Sequence, residues 1–285
     1  MLNKILFIIN FFALSTQAQE IPAVYFNHFY LVLDSKDLLA VQKSAFIKNQ
    51  FAASATKTVK VDSGQSWTGT YLYGLDNYFE IFDSTGAGEP LGYAGIAFSV
   101  DKTGDLEKTN ATLEKKFKIR STLKEKQVEN KKKIPWFKLS YIIDSNFDSH
   151  THISTWLMEY TKEYFLYRNL RSDNEQVTRR AYLAEHQDSV KNKIFKNFTA
   201  ITFRMTPMEK EFYSGLLLSY GYQRSNDSYR AKDGFTIHLS VKSREEMYVV
   251  GSVEFDTNSY RKGIEIISEN IQISLTGYSG KIVFK

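Results

Sequence analysis

The chain has 285 residues, enough for one large domain or two small ones with a sizeable core. Hydrophobic residues make up 42% of it and charged residues 24%, which is typical of a globular protein and excludes a mainly disordered chain. Its net charge of +5 is dispersed and no nucleic-acid-binding motif is present, so we expect no nucleic-acid partner. The lack of cysteine excludes disulfides, thiolate metal ligands and cysteine nucleophiles.

The N-terminal residues are typical of a secretory signal peptide. Lys4 gives a positive start, residues 5–14 form a short apolar core interrupted only by Asn10, and small residues at 15–18 suit cleavage. We therefore predict a signal peptide over residues 1–18 and a secreted or periplasmic protein. The apolar core is too short for a membrane span, and no later stretch could form one.

The next residues predict a strand, a helix and three further strands. The first strand is an almost wholly apolar run that contains His28, and Asp34 is placed to cap the helix that follows. Alternating or apolar runs then predict the remaining strands. The predicted elements are a strand at 24–33, a helix from Lys36, and strands at 57–61, 69–74 and 77–82.

The same order of elements is then repeated. Glycines at 86, 88 and 92 mark a turn between the two units. The second unit is predicted to have a strand at 95–101, a helix at 103–116, and strands at 117–123, 136–143 and 152–160, with a lysine-rich loop between the second and third strands.

A polar segment and a third unit complete the chain. Residues 163–195 lack glycine and proline and predict one or two helices. A helix from Pro207 to Ser219, ended by Gly221, follows a strand at 199–206. Further strands are predicted at 229–231, 235–241, 263–273 and 281–284.

Several short motifs in these units resemble the vicinal oxygen chelate, or glyoxalase-like, superfamily. Its modules open with a histidine followed by an aspartate, as His28 and Asp34 do, and close with a glutamate between apolar residues, as Glu80 does. Residues 95–101 resemble the opening of a second module, and Glu159 its close. After the signal peptide the chain is also similar to an uncharacterised group of exported bacterial proteins, a domain of unknown function.

The resemblance implies an α+β fold built from tandem βαβββ modules. Residues 19–165 would form the paired modules and share one curved mixed sheet. We place a helical connector at 166–197 and a third, partial βαββ module at 198–285.

The resemblance also implies a candidate metal site made of His28, Glu80 and Glu159. Residues i and i+2 of a strand share a face, so Tyr30, Tyr78 and Phe82 would line the same pocket. One histidine and two carboxylates suit a divalent metal, namely Fe, Mn, Zn or Ni. Metal-binding members of the superfamily have a second histidine at the opening of the second module, where this chain has Gly95.

These residues leave three interpretations open. The site could hold a metal and serve a lyase or dioxygenase. It could be the remnant of such a site, now a pocket for a small-molecule ligand. It could also be structural burial, with His28 hydrogen-bonded to Glu80 or Glu80 paired with a lysine. We favour an exported glyoxalase-like protein that binds a small molecule in a cupped sheet, with the metal-dependent enzyme as the alternative; the sequence specifies neither a reaction nor an oligomeric state.

Overall fold

The structure is a computed structural model that describes residues 21–84, 88–143, 151–170, 176–242 and 246–285. The predicted signal peptide, residues 1–18, lies outside these residues, as does Gly86 of the predicted turn. Within the described part of the chain, no helix has the length and apolarity needed to cross a membrane.

The first unit has the predicted order of a strand, a helix and three strands. Its elements are β1 Tyr25–Leu33, α1 Ser35–Lys43, β2 Ala53–Lys60, β3 Ser66–Tyr73 and β4 Tyr78–Asp83, with a π-helical turn at Ile47–Phe51. Asp34 caps α1 as predicted, because its side chain accepts a hydrogen bond of 2.8 Å from the backbone N–H of Lys36.

The second unit repeats this order with a longer hairpin than predicted. Its elements are β5 Ala94–Ser99, α2 Asp105–Leu113, β6 Lys118–Glu129, β7 Lys132–Ile143 and β8 Ile153–Tyr160. The lysine-rich stretch predicted as a loop is instead a tight turn between β6 and β7. Asn130 and Lys131 both have positive φ, 48° and 66°, the backbone that a two-residue hairpin turn requires.

The two units share one eight-stranded mixed sheet with the order β2-β3-β4-β1-β5-β8-β7-β6. The opening strands β1 and β5 pair antiparallel at its centre. Each opening strand also pairs in parallel with the closing strand of its own unit, β1 with β4 and β5 with β8. The predicted α+β class with a mixed sheet is therefore confirmed.

The outer strands β2 and β6 approach each other on the concave side of the sheet. Val61, just after β2, forms an antiparallel bridge with Gln127, and the backbone N–H of Asp62 donates to the carbonyl of Lys126 at 3.1 Å. The carboxylate of Asp62 also lies 3.9 Å from the ammonium of Lys133. The sheet is therefore a cup whose two edges meet.

The connector consists of short helices rather than the one or two longer ones predicted. They are α3 Lys162–Tyr167, α4 Arg179–Tyr182 and α5 Gln187–Lys191, with a 3₁₀ turn at Ala184–His186. Thr161 and Thr178 each cap a new helix by accepting a hydrogen bond from a backbone N–H three residues on. Tyr164 and Tyr182 from this segment are in ring contact over the concave face, with centroids 5.9 Å apart.

The third unit forms a six-stranded sheet with the order β10-β11-β12-β9-β13-β14. Its elements are β9 Phe195–Met205, α6 Pro207–Ser219, β10 Gln223–Ser225, β11 Ser228–Arg230, β12 Thr236–Val241, β13 Val250–Ile266 and β14 Ile271–Phe284. A capping box of Thr206 and Glu209 starts α6, with Pro207 at its first position. The strand predicted at 263–273 is wrong, because the turn between β13 and β14 lies inside that range.

The convex face of the eight-stranded sheet packs on the third unit. Phe29 of β1 and Phe79 of β4 stack with centroids 4.1 Å apart, and both rings contact Phe198 of β9. Phe26 stacks on Phe235 at 4.0 Å. Because strand side chains alternate between faces, their neighbours His28, Tyr30, Tyr78 and Glu80 lie on the concave face.

Candidate functional site

A cavity of about 270 Å³ lies inside the cup of the eight-stranded sheet. All three tryptophans of the protein line it. The aromatic residues of its wall are Tyr30, Trp67, Tyr78, Phe82, Trp136, Phe137, Tyr141, Trp156 and Tyr160. Such an apolar wall with a few polar groups is the usual make-up of a small-molecule site.

His28 reaches this cavity because of an irregularity in β1. The pairing of β1 with β5 shifts between Phe26 and His28, so Asn27 is an extra residue in the strand. Phe26 and Phe29 therefore remain in the core while His28 lies on the concave face. The ring of His28 stacks on Tyr78 at 4.4 Å and meets Trp156 edge-on at 5.5 Å.

Asn27 fixes the state of His28. Its amide nitrogen donates to the hydroxyl of Ser99 at 3.0 Å, which leaves its carbonyl oxygen to accept from Nδ1 of His28 at 2.8 Å and from the hydroxyl of Tyr160 at 3.3 Å. Burial lowers the pKa of His28 to about 3. The imidazole is thus neutral, with its proton on Nδ1 and a lone pair on Nε2. The predicted alternative of a bond from His28 to Glu80 does not occur.

Glu80 brings a buried carboxyl group to the cavity. It lies on β4 between Tyr78 and Phe82, opposite Tyr30 of β1. Burial raises its pKa to about 8, and the charge of Lys57 and a hydrogen bond with Tyr78 offset only part of that rise. At neutral pH this group therefore holds a proton and can donate a hydrogen bond.

A second cavity of about 460 Å³ adjoins the first and shares Tyr78, Glu80 and Trp136 with it. The ammonium of Lys57 lies 4.9 Å from the ring centroid of Tyr71 in this second cavity. The other charged residues of its wall are Glu129, Arg168 and Glu185. Arg168 contacts both of these carboxylates, at 3.2 and 2.6 Å. The second cavity therefore carries its own cations, whereas no described Lys or Arg lines the first.

Glu159 does not join His28 and Glu80. Its carboxylate accepts hydrogen bonds from the backbone N–H groups of Gly104 at 2.8 Å and Leu106 at 3.1 Å, at the start of α2, and lies 3.4 Å from Nζ of Lys138. Its neighbour Met158 lines the cavity, so alternation along β8 turns Glu159 to the other face. The predicted convergence of the three ligands is corrected accordingly.

The position of the missing second histidine is filled by another side chain. The ring of Tyr30 lies against Gly95, in the space that a Cβ at position 95 would need. A histidine at this position would require Tyr30 to move. The ring of Tyr30 thus occupies the place where metal-binding members of the superfamily have their second histidine.

The described residues do not fit the predicted metal site. His28 and Glu80 share the cavity, but Glu159 is on the opposite face and Gly95 supplies no ligand. Among the residues that the structure describes, no three His, Cys, Asp or Glu side chains are grouped so that they could hold a metal ion.

Sequence reasoning missed several residues of the wall. Trp156 lies near its centre, with its ring centroid 6.2 Å from that of Tyr30 and 6.3 Å from that of Tyr141. Glu89 and Glu125 also line the cavity. The alternation of Trp156, Met158 and Tyr160 along one strand was the signal that could have identified this face, whereas Glu89 and Glu125 carry no such pattern.

Comparison with known proteins identifies the family and supports the fold. The chain belongs to DUF5829, a family of unknown function whose model matches residues 26–284. No curated protein is significantly similar to it. A hypothetical protein from Staphylococcus aureus is similar in structure, with a TM-score of 0.50 and 11% identity over 77% of this chain and 87% of that one.

Two further solved structures are more distant. One is a fusion of a xylose isomerase-like TIM barrel with 4-hydroxyphenylpyruvate dioxygenase, with a TM-score of 0.44 and 10% identity over 84% of this chain and 37% of that one. The other is a Mn(II)-bound glyoxalase from Novosphingobium aromaticivorans, with a TM-score of 0.37 and 9% identity over 78% of this chain and 62% of that one.

Proposed function

We propose that this DUF5829 protein binds a small organic molecule in the aromatic cavity of its cupped sheet. The observation that carries the proposal is the cavity itself, about 270 Å³ in volume and walled by aromatic rings, with the uncharged His28 and Glu80 among its polar groups. Pockets of this size and composition enclose most of the surface of a small ligand. The ligand is expected to gain most of its binding free energy from apolar contact.

The polar groups would orient the ligand. Nε2 of His28 has a lone pair and can accept a hydrogen bond, while the protonated carboxyl of Glu80 can donate one. Both groups are neutral at pH 7, so a ligand would not have to displace a strong ion pair to reach them. A molecule with an aromatic or apolar body and one polar substituent suits this arrangement.

The alternative, a metal-dependent lyase or dioxygenase, has less support. It would have to work with His28 and Glu80 as the only described protein ligands, because Glu159 is bound to the start of α2. Catalytic metal sites of this kind normally use three protein ligands and keep an open position. Small-molecule binding does not require Glu159 in the cavity. It also gives the aromatic wall a role, as the apolar contact surface for the ligand, which the metal hypothesis does not.

A thermal-shift screen tests the proposal. A ligand that binds only the folded protein raises its melting temperature. The test variant is Tyr141→Ala, which removes a partly exposed ring from the cavity wall, and its matched control is Tyr278→Ala, which removes an exposed ring from the hairpin of β13 and β14. We expect screening hits to stabilise the wild type and Tyr278→Ala, but much less so Tyr141→Ala. Hits that stabilise both variants equally would contradict a site in this cavity.

We also propose that the protein is exported. The proposal rests on the positive start, apolar core and small residues of positions 1–18. Expression of the full chain in a Gram-negative host, followed by N-terminal sequencing of the periplasmic fraction, tests it. We expect a new N-terminus near Gln19, and an uncleaved cytoplasmic product would contradict export.

A further inference from the structure

The cavity inside the cup is acidic although the protein is basic. The whole chain has 37 Lys and Arg residues against 32 Asp and Glu residues. The cavity is nevertheless lined by the neutral Glu80 and by two further glutamates, Glu89 and Glu125, and by neither Lys nor Arg among the described residues. The adjoining cavity differs, because its carboxylates are accompanied by the cations Lys57 and Arg168.

Glu89 and Glu125 have no basic partner among the residues that the structure describes. Within the described ranges, neither forms an ion pair. Burial and then the charge of the nearby Asp62 raise the pKa of Glu125, so its described neighbour is a further acid and not a base. Burial, and then the charges of Glu125 and Glu89, raise the pKa of Tyr141, which shows that both carboxylates act on the same part of the wall. Two acidic groups therefore flank an aromatic surface without a counter-charge from the described residues.

The aromatic wall suits a cation as well. Tryptophan faces bind cations best, and Trp156 lies between Tyr30 and Tyr141 in the wall. The protein already uses such contacts elsewhere, because the guanidinium of Arg179 lies 4.3 Å from the ring centroid of Tyr25. A cation in the first cavity would find aromatic faces and carboxylates together.

We propose that the ligand of this cavity is an organic cation, an amine or quaternary ammonium compound with an apolar or aromatic body. The inference deepens the binding function proposed above and rests on it. The apolar body would lie among the aromatic rings, and the cationic group would lie towards Tyr141, Glu89 and Glu125. An anionic ligand would be repelled by the same two carboxylates.

Three probes of nearly equal shape test the sign of the charge. Phenyltrimethylammonium, tert-butylbenzene and benzenesulfonate have the same number of non-hydrogen atoms and differ in charge. Because all three tryptophans line the cavity, their fluorescence reports on its occupancy. We expect a saturable change with the cation at an affinity about tenfold higher than that of the neutral probe, and no response to the anion.

Variants that replace one glutamate by the uncharged glutamine show which carboxylates cause the preference for the cation. Glu125→Gln should weaken binding of the cation about fivefold and leave the neutral probe unchanged, because one nearby charge is lost. Glu89→Gln should do the same. Glu211→Gln removes the same charge from an exposed position on α6 and serves as the control, with no change expected for any probe.

The outcomes separate this inference from the proposed function. Equal or tighter binding of the neutral probe or of benzenesulfonate would overturn the cation preference while supporting a binding cavity. The absence of a saturable response to all three probes would overturn the cation inference, and the thermal-shift screen would then decide the binding function independently. A cation preference that is undiminished in both Glu125→Gln and Glu89→Gln would also contradict the placement of the cationic group beside these carboxylates.

Discussion

The ring of Tyr30 lies against the Cα of Gly95, its partner on the neighbouring strand β5. Only a residue without a Cβ leaves this space to the ring. Tyr30 on β1 can therefore take its place in the cavity wall only because residue 95 on β5 has no side chain.

Gly95→Ala should destabilise the protein by about 1–3 kcal/mol, because the new methyl group forces the ring of Tyr30 to move. The double variant Tyr30→Ala/Gly95→Ala should lose less stability than the sum of the two single variants, since the conflict is then absent. Urea unfolding of the four proteins measures this. Strict additivity of the two changes would contradict a direct conflict between the residues.

Glu80→Gln should become progressively more stable than the wild type as pH rises. The folded protein keeps a proton on Glu80 up to pH about 8, whereas the unfolded chain releases it near 4.5. Wild-type stability therefore falls as pH rises through this window, by at most about 1.4 kcal/mol per pH unit from this group. The glutamine variant lacks this loss. Unfolding free energies of both proteins at pH 5, 7 and 9 test this prediction. Parallel pH profiles of the wild type and Glu80→Gln would contradict it.

Glu159→Gln should cost about 1–3 kcal/mol of stability without affecting ligand binding, because the buried carboxylate holds the start of α2 and pairs with Lys138. Glu107→Gln is the matched control. It also removes a partner of Lys138, at 2.8 Å, but from an exposed side chain, and should cost no more than about 1 kcal/mol. Loss of ligand binding in Glu159→Gln alone would assign it a role in the cavity.

The protein should bind divalent metal weakly and without dependence on Glu159. The reason is geometric, since Glu159 lies on the opposite face of the sheet from His28 and Glu80. Metal content after purification without chelator and incubation with Fe(II), Mn(II), Zn(II) or Ni(II) tests this. About one metal per chain, lost in His28→Ala and Glu80→Ala, would contradict it and favour the lyase or dioxygenase alternative.

The sequence predicted that His28 and Glu80 lie close together, but it wrongly added Glu159 to them. His28 and Glu80 lie on the neighbouring strands β1 and β4, and alternation within each strand predicted which side chains accompany them. On β8 the same rule means that Glu159 and Leu157 share a face, but it does not say which face of the sheet the two side chains occupy. The face depends on what packs against the sheet, which is tertiary information. The bulge at Asn27 is also invisible in the sequence, since an apolar run has no marker for an extra residue.

The fold was least predictable in its last hairpin. Residues 256–262 of β13 are polar or exposed on both faces, so they show no period-two pattern. The predicted strand at 263–273 followed the isoleucines on either side of the turn at 267–270, and a run of apolar residues does not reveal where a chain reverses. The paired modules were easier, because several of their strands, such as β1, β4 and β5, are short apolar runs that are almost wholly buried.

The most direct test of the binding site is a tryptophan fluorescence titration with hits from the thermal-shift screen. Trp67, Trp136 and Trp156 all line the cavity, so a molecule bound there must come close to at least one of them. We predict a saturable change in emission for the wild type and Tyr278→Ala that is strongly weakened in Tyr141→Ala. Hits that raise the melting temperature but leave tryptophan emission unchanged in the wild type would show that they bind elsewhere and would contradict the proposed site.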